Sequence, residues 1–525
     1  MHKKTWQIYL VAIACLLLRS PQNALTPRLW AEDAIFLMQA VGSPFLSLLW
    51  PDQGYLHVYQ RIAALLAQEV PVACVPVFFA LAWLLAFLAS VTVINQCLRR
   101  LGLTHATALL TVALITLQPS TTEAFFTLTN AQWWTGVALI FYICTPWDKA
   151  LSRLELSVAL LCCLTGPFSV LMLPVLALRA VLLRDYRSHR SFYLVVVLGA
   201  AVQIAFLLFF PRSIGAAAMD RDPQHWLYAA GVFLTFSHLA GGGLLWLVLA
   251  WESARLYPAR HDAATRERWR VTLLLGLSII LAVAGGYLAA KDRPQLLSPL
   301  GYWSRYFITP YTLLFLMAMY VCRPLPRCLA TLAMIMLCAE ALAAPAAVDA
   351  KRENLQWEAY LRLARQLDGV MIPINPLQGR WHLQGNALFP GVRNPPAGFR
   401  VDLASVKTGI TTSHIDHGFM TITPGKAAAQ LQFDIGGQCR NDRYLGVVAN
   451  VYRTMGGFTA LHWSSGGVFS EQNSLLGFYS ANWVDMKFAF ARAPGETTLR
   501  LDINDTLENA SESILDRIQV YCLGS

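Results

Sequence analysis

Charged residues are scarce in this chain of 525 residues: they make up 14% of the sequence, whereas hydrophobic residues make up 56%. Soluble domains average about 25% charged residues. The shortage argues against an ordinary soluble protein and is typical of a chain with several membrane spans. The net charge of +10 does not indicate a nucleic-acid partner, because Lys and Arg lie mostly between the hydrophobic runs, where the positive-inside rule puts them.

Cysteines at the spacing of a metal or redox site are also lacking. Nine of the eleven lie in or beside apolar runs, where cysteine behaves as a small hydrophobic residue. Cys439 and Cys522 stand alone in the polar C-terminal part, and they are the natural disulfide pair if that part lies in an oxidising compartment. No clear A-x-A cleavage site follows the first apolar run, so we expect the N-terminus to be retained as a membrane anchor.

Hydrophobic segments fill the first two thirds of the chain. They fall near 5–19, 72–96, 104–118, 133–147, 156–166, 167–182, 191–210, 226–250, 271–290, 306–321 and 328–347. The Gly166–Pro167 step splits one run into a hairpin of two short helices. The positive residues between the segments place the N-terminus in the cytoplasm. The prediction for residues 1–350 is therefore a polytopic α-helical domain with about eleven transmembrane helices.

Four loops then lie outside the membrane, near 20–71, 119–132, 211–225 and 291–305. The first is the longest, and its second half, 55–68, has apolar residues at helical spacing. Such a segment is typical of a helix that lies in the membrane interface, or of an ordinary amphipathic lid without a function.

The pattern changes after residue 350. Residues 351–370 predict an amphipathic helix, and short β-like runs follow at 419–423, 429–435, 444–452, 458–463, 475–479, 486–490, 497–502 and 514–522. Runs at this spacing predict an antiparallel β-sandwich over 351–525, outside the membrane. Four aromatic residues of this part could form a sugar-binding platform or pack in the core: Trp381, Trp463, Tyr479 and Trp483.

The adjacent acids Glu32 and Asp33 are the strongest candidates for chemistry, because acidic side chains near hydrocarbon usually mark a functional site. A carboxylate can deprotonate an acceptor hydroxyl, and cations can neutralise a departing phosphate. The mixture of groups in the external loops suits transfer of a sugar from a lipid phosphate. Candidate phosphate ligands are Arg61, Lys291, Arg293 and Arg305; candidate substrate ligands are Tyr55, His57, Asn130, Gln132 and Trp133; Glu123 is a further external acid.

These motifs resemble the GT-C superfamily of polyprenyl-phosphate-sugar-dependent membrane glycosyltransferases, including a poorly characterised bacterial group. The similarity covers about residues 1–350 and is carried by four short motifs: Trp30-Ala31-Glu32-Asp33, Gly54-Tyr55-Leu56-His57 with Arg61, Asn130-Ala131-Gln132-Trp133 and Leu164-Thr165-Gly166-Pro167-Phe168. The resemblance implies a catalytic first external loop, with Asp33 as the favoured general base and Glu32 as the alternative. A divalent cation between acid and donor phosphate fits such enzymes, and no other cofactor is implied.

The resemblance further implies an inner-membrane enzyme with a periplasmic C-terminal domain. It would move a monosaccharide from a polyprenyl-phosphate donor to a surface glycan, a lipopolysaccharide or a protein such as a pilin. Two other functions stay open: a transporter or flippase for lipid-linked sugars, and a non-enzymatic factor for envelope glycan assembly. A transporter should carry ionisable residues near the midplane, where this sequence has few besides Glu340.

Overall fold

The computed structural model describes residues 5–120, 122–210, 220–235, 238–257, 262–301, 303–322, 324–343, 354–376, 381–391, 398–409, 412–423, 429–435, 437–439, 442–453, 457–465, 468–479, 482–492, 497–503 and 513–524. The chain forms two compact units, Met1–Arg352 and Glu353–Ser525. The boundary falls two residues after the one that the sequence predicts.

The first unit is helical. Its α-helices are α1 Thr5–Arg19, α2 Pro21–Leu25, α3 Asp33–Gly42, α4 Val58–Leu66, α5 Val75–Arg100, α6 His105–Leu117, α7 Ala131–Cys144, α8 Arg153–Cys163, α9 Phe168–Leu171, α10 Leu173–Leu183, α11 Arg190–Phe209, α12 Pro223–Thr235, α13 Leu239–Leu256, α14 Ala263–Ala289, α15 Arg305–Val321 and α16 Pro324–Ala343. Each predicted hydrophobic segment therefore contains helix. Short 3₁₀ turns in the connections include Thr122–Ala124 and Leu128–Asn130.

Four stretches of described helix are long and apolar enough to cross a membrane: Val72–Arg100, α11, α14 and α16. The pair α12 and α13 passes the same test together but is bent by 74°. The prediction of about eleven spans is not confirmed, because several other apolar helices are short. At about 1.5 Å per residue, the 13 residues of α6 extend only about 20 Å, against a hydrocarbon core of about 30 Å.

Burial separates two kinds of apolar helix that hydropathy cannot distinguish. Every residue of α7 except Trp133 is buried, so this helix lies in the protein core. α11 instead exposes Leu194, Leu198 and Leu208 along one face, as a helix in contact with lipid would. A short apolar helix surrounded by protein and a longer lipid-facing helix thus give similar sequence patterns.

The second unit is a β-sandwich with two short helices, α17 Trp357–Ala364 and α18 Gly385–Leu388. Its strands are β1 Met371–Pro373, β2 His382–Gln384, β3 Gly398–Arg400, β4 Lys407–Thr408, β5 Thr412–Asp416, β6 Phe419–Thr423, β7 Ala429–Asp434, β8 Tyr444–Arg453, β9 Gly457–Ser465, β10 Val468–Tyr479, β11 Asn482–Ala491, β12 Thr498–Ile503 and β13 Ser513–Cys522. All eight predicted strands are present. The additional strands β1 to β5 have at most five residues, too few for a clear alternation.

Two antiparallel sheets form the sandwich. One has the order β10-β9-β12-β7-β4, and the other has the order β11-β8-β13-β6-β5, with β3 also paired to β13. Burial alternates along β7 as the pleat requires, with Ala429, Leu431 and Phe433 buried and the residues between them half-buried. Trp463 stacks on Phe490 of the other sheet with ring centroids 4.6 Å apart. It is therefore a core residue and not part of a sugar-binding platform.

Cys439 and Cys522 form a disulfide across 83 residues of sequence, as the sequence predicts. Cys522 ends β13, so the bond fastens the last strand to the turn that precedes β8. Closing a long loop restricts the unfolded chain, and removal of such a bond typically costs about 2–5 kcal/mol.

Cys522→Ser is therefore expected to lower the free energy of unfolding of the second unit by about 2–5 kcal/mol, measured by thermal unfolding. Reductant should cause a similar shift in the wild type and no further shift in Cys522→Ser. Cys74→Ser, at an exposed free cysteine, is the control and should unfold like the wild type. Equal midpoints for Cys522→Ser and the wild type would show that the bond does not stabilise this unit.

Candidate functional site

The carboxylate of Asp33 is enclosed by hydrogen-bond donors. Asp33 is the first residue of α3 and is 1% exposed. Its Oδ1 accepts hydrogen bonds from the backbone N–H and the hydroxyl of Thr129, both at 2.8 Å, and its Oδ2 accepts one from the backbone N–H of Trp30 at 3.0 Å. Asp33 thus ties the segment before α3 to the turn before α7, which is a positioning role.

Glu32 stands in a different environment although it is the neighbouring residue. It is half-buried, and its Oε2 is enclosed without a hydrogen-bond partner among the described residues. A buried carboxylate oxygen without a hydrogen-bond donor is energetically costly. Of the two acids, Glu32 is therefore the one with a hydrogen-bonding position left open by the described residues, whereas the sequence resemblance favours Asp33 as the base.

A second acid, Glu123, lies beside Glu32 and is 7% exposed. Its Oε1 accepts a hydrogen bond from the backbone N–H of Arg305 at 3.5 Å. Burial raises the pKa of Glu123, the positive charge of Arg305 opposes this rise, and the carboxylate of Glu32 adds to it. Two acids and one cation from the first, second and fourth loops of the predicted topology thus lie close enough for their charges to interact. Sequence reasoning included Glu123 among the external acids without giving it a role.

Asn130 connects this cluster to the neighbouring aromatic residues. It is fully buried, and its Nδ2 donates to the backbone carbonyl of Glu123 at 2.9 Å and to the Thr127 hydroxyl at 2.8 Å. Its Oδ1 accepts a hydrogen bond from the indole N–H of Trp133 at 3.1 Å. Asn130 therefore holds Glu123, Thr127 and Trp133 together, and a role for it in substrate binding stays a prediction. Gln132 is 7% exposed, and its Oε1 has no hydrogen-bond partner among the described residues.

Arg61 and His57 are buried within the first external loop. Arg61 is fully buried, donates through Nη1 to Gln39 and lies 4.8 Å from the centre of the Phe36 ring. Its Nε and Nη2 have no hydrogen-bond partner in the described part of the chain. Burial lowers the pKa of Arg61 to about 10, and the charge of Asp52 opposes the change, so the side chain stays positive at neutral pH. His57 is 2% exposed, with its Nε2 3.9 Å from Asp52 Oδ2.

Helix α4 shows how Arg61 comes to be buried. The helix turns Gln60 and Arg61 inward and leaves Ile62 and Leu66 exposed, so its polar side faces the protein. Gln60 donates to the backbone carbonyl of Thr129 at 3.2 Å. The predicted helix within 55–68 is thus present, with its apolar side directed away from the unit.

The same unit contains an apolar cavity of about 310 Å³. Its lining includes Tyr55, Trp133, Phe168, Leu171, Ala282, Gly285, Ala289 and Tyr306. Trp133 packs edge-on against Tyr306 and Phe168, with ring centroids 5.2 and 5.7 Å away. Two lining residues are linked to the acidic cluster: Tyr306 directly follows Arg305, and Trp133 donates a hydrogen bond to Asn130.

Two predicted phosphate ligands, Lys291 and Arg293, do not line the cavity. Arg293 is 66% exposed and lies 3.8 Å from Asp292, its neighbour in sequence. Both predicted ligands follow the end of α14 in a loop, and a sequence does not tell which way a long side chain leaves a loop. Arg305 is therefore the predicted cation that lies with the acids.

The described residues offer no metal site at the acids. The single group of three His, Cys, Asp or Glu ligand atoms found among them is Cys439, Asp442 and Cys522, where both sulfurs belong to the disulfide. The divalent cation that the resemblance allows stays a prediction.

Comparison with known proteins leaves the family open. No protein-family model matches the chain, and no curated protein matches it. Among solved structures, a low-affinity xylan-binding module from Roseburia intestinalis is 12% identical, with 25% of this chain and 95% of that chain covered at a TM-score of 0.19.

Two further matches are also carbohydrate-binding modules. One, from a Cellvibrio mixtus lichenase in complex with cellotriose, is 12% identical over 23% of this chain and 95% of that chain, with a TM-score of 0.18. The other is the C-terminal module of a Zobellia galactanivorans laminarinase, 10% identical over 24% of this chain and 99% of that chain, with a TM-score of 0.17. At these TM-scores the likeness assigns neither a family nor a function.

Proposed function

We propose that this chain is an inverting membrane glycosyltransferase that transfers a monosaccharide from a polyprenyl-phosphate donor to a hydroxyl of a periplasmic acceptor. The observation that carries the proposal is the buried Oε2 of Glu32, which has no hydrogen-bond partner among the described residues and lies within reach of the charges of Glu123 and Arg305. A base, a cation and a lipid-sized apolar surface are the three parts that this reaction needs.

Glu32 takes the proton of the acceptor hydroxyl, and the acceptor oxygen attacks the anomeric carbon of the sugar. The bond between that carbon and the phosphate oxygen breaks, and the phosphate leaves with the bonding electrons. Arg305 stabilises the negative charge that develops on the phosphate. Asp33 holds the loops in register, through its bonds to Thr129 and Trp30. Because the acids do not gather a set of metal ligands, no step is assigned to a metal ion.

The cavity suits the isoprenoid part of the donor, because its lining is almost entirely aromatic and aliphatic. Its aromatic wall ends at Tyr306, the residue after Arg305, so a lipid chain in the cavity would bring its phosphate to the cation. A transporter fits less well, since the four long apolar helices carry their charges near the ends.

Ala289→Trp tests the cavity. The larger side chain should fill part of the space, raise the KM for the polyprenyl-phosphate donor at least tenfold and leave kcat within about twofold, because it removes binding and not chemistry. The control is Ile280→Trp on the same helix, at a position that is 65% exposed and does not line the cavity. An unchanged KM in Ala289→Trp would remove the cavity from the proposal.

The proposed reaction is tested most directly by mass spectrometry of surface glycans, lipopolysaccharide and pilins from cells with and without this chain. The expected result is the loss of one monosaccharide from one of these acceptors, restored by the wild-type chain. Identical glycans in both strains, together with no transfer by the purified protein from a polyprenyl-phosphate sugar, would overturn the proposal.

A further inference from the structure

The second unit carries a group of exposed aromatic side chains on the outer side of its six-stranded sheet. Trp483 is 47% exposed and Phe419 is 41% exposed, and Tyr452 is half-buried. The ring of Trp483 lies 5.4 Å from that of Tyr452 and 6.1 Å from that of Phe419. We call these three residues the aromatic face.

The strands hold the aromatic face in place. Trp483 of β11 is directly opposite Tyr452 of β8. Their neighbours Met486, Phe488 and Ala449 point to the other side of the sheet and are buried in the sandwich. The core of the sandwich is therefore packed without Trp483 and Tyr452. In the described part of this unit, their exposed rings do not contribute to core packing.

Hydrogen-bonding groups lie two residues further along the same strands, and so on the same side of the sheet. Asn450 is opposite Asp485, and its Nδ2 donates to Asp485 Oδ1 at 2.7 Å. Arg517 of β13 is paired with Asn450, and its Nη2 lies 3.6 Å from Asp485 Oδ1. The side chains of Asp485 and Arg517 are 37% and 41% exposed, so they can still bind a ligand.

This combination has the chemistry of a carbohydrate site. The C–H face of a pyranose ring packs on an aromatic ring, and its hydroxyl groups both donate and accept hydrogen bonds, which carboxylate, amide and guanidinium groups can satisfy together. The negative charge of Asp485 also balances the positive charge of Arg517. A surface without excess positive charge does not favour binding to an anionic membrane.

We propose that the aromatic face binds a neutral carbohydrate chain, with the rings of Trp483 and Tyr452 against successive sugars and with Asp485, Asn450 and Arg517 holding the hydroxyl groups. The role of this site rests on the proposed function. Under that function, the bound carbohydrate is the glycan acceptor. The aromatic face would then raise the local concentration of acceptor for the transfer reaction.

The test uses the full chain in detergent and the delipidated surface polysaccharide of the cells that make it, with binding measured by isothermal calorimetry. Trp483→Ala and Tyr452→Ala should each weaken binding at least tenfold, and Asp485→Ala about threefold or more. The matched control is Trp381→Ala, a tryptophan beside the separate β1-β2 pair, which should bind like the wild type. A thermal midpoint within a few degrees of the wild type shows that each variant is folded.

Wild-type affinity in Trp483→Ala, or no binding by the wild type, would overturn the proposal. So would a Trp483→Ala variant that keeps glycan binding and loses binding to phospholipid vesicles, since the face would then dock on a membrane. If binding follows these expectations but the wild-type chain transfers no sugar, the proposed function fails and the carbohydrate site stands.

Discussion

Glu32→Gln is expected to lower the rate of sugar transfer by about 10²–10⁴-fold, the usual contribution of a general base. Glutamine keeps the size of the side chain and cannot take a proton. Because Glu32 Oε2 has no donor among the described residues, the substitution breaks no hydrogen bond at that atom, and the fold should persist. The measurement is single-turnover transfer from a polyprenyl-phosphate sugar by the purified chain, with the thermal midpoint recorded alongside.

Glu69→Gln is the matched control, because Glu69 is an exposed acid at the end of the same external loop. It should transfer at the wild-type rate. A Glu32→Gln variant that is folded and within about threefold of the wild type would show that Glu32 is not the base. A large loss in both variants would point instead to a general effect of the negative charge of the loop.

Most of the long strands of the second unit could be predicted from the sequence. Its strands are long and alternate clearly: in β11, the residues Val484, Met486 and Phe488 share one side, which puts Trp483 on the other. Trp463 lies on β9, where every residue from 459 to 464 is buried, so burial and not alternation separates it from Trp483. Strands of two to five residues, such as β4 and β5, hold too few positions for this signal.

The helices of the first unit could be predicted from the sequence, but the arrangement of its candidate site could not. Hydropathy located α7 and α11 alike, whereas only burial shows that α7 is surrounded by protein. The difference between Glu32 and Asp33 arises from Thr129, which lies 96 residues further along the chain than Asp33 and donates two hydrogen bonds to its carboxylate. A long-range contact of this kind leaves no local pattern, so adjacent acids look equivalent in sequence.

Asp33→Ala is expected to lower the free energy of unfolding, whereas Glu32→Gln is expected to lower the rate of sugar transfer. The carboxylate of Asp33 accepts three hydrogen bonds in a site that is 1% exposed. Its removal leaves the buried backbone N–H groups of Trp30 and Thr129 without that acceptor, at about 1–3 kcal/mol each. We therefore expect a loss of about 3–5 kcal/mol in the free energy of unfolding of the first unit, measured by thermal or denaturant unfolding in detergent.

Thr129→Val provides the graded comparison, because it removes only the hydroxyl donor to Asp33 and keeps the backbone one. It should cost about 1–2 kcal/mol and leave the transfer rate of the folded fraction near that of the wild type. If Asp33 were the base, Asp33→Asn would lose transfer by about 10²-fold or more at full stability, and Glu32→Gln would not. The two acids thus give opposite patterns in rate and stability, and one pair of variants measured in both assays decides which of them takes the proton.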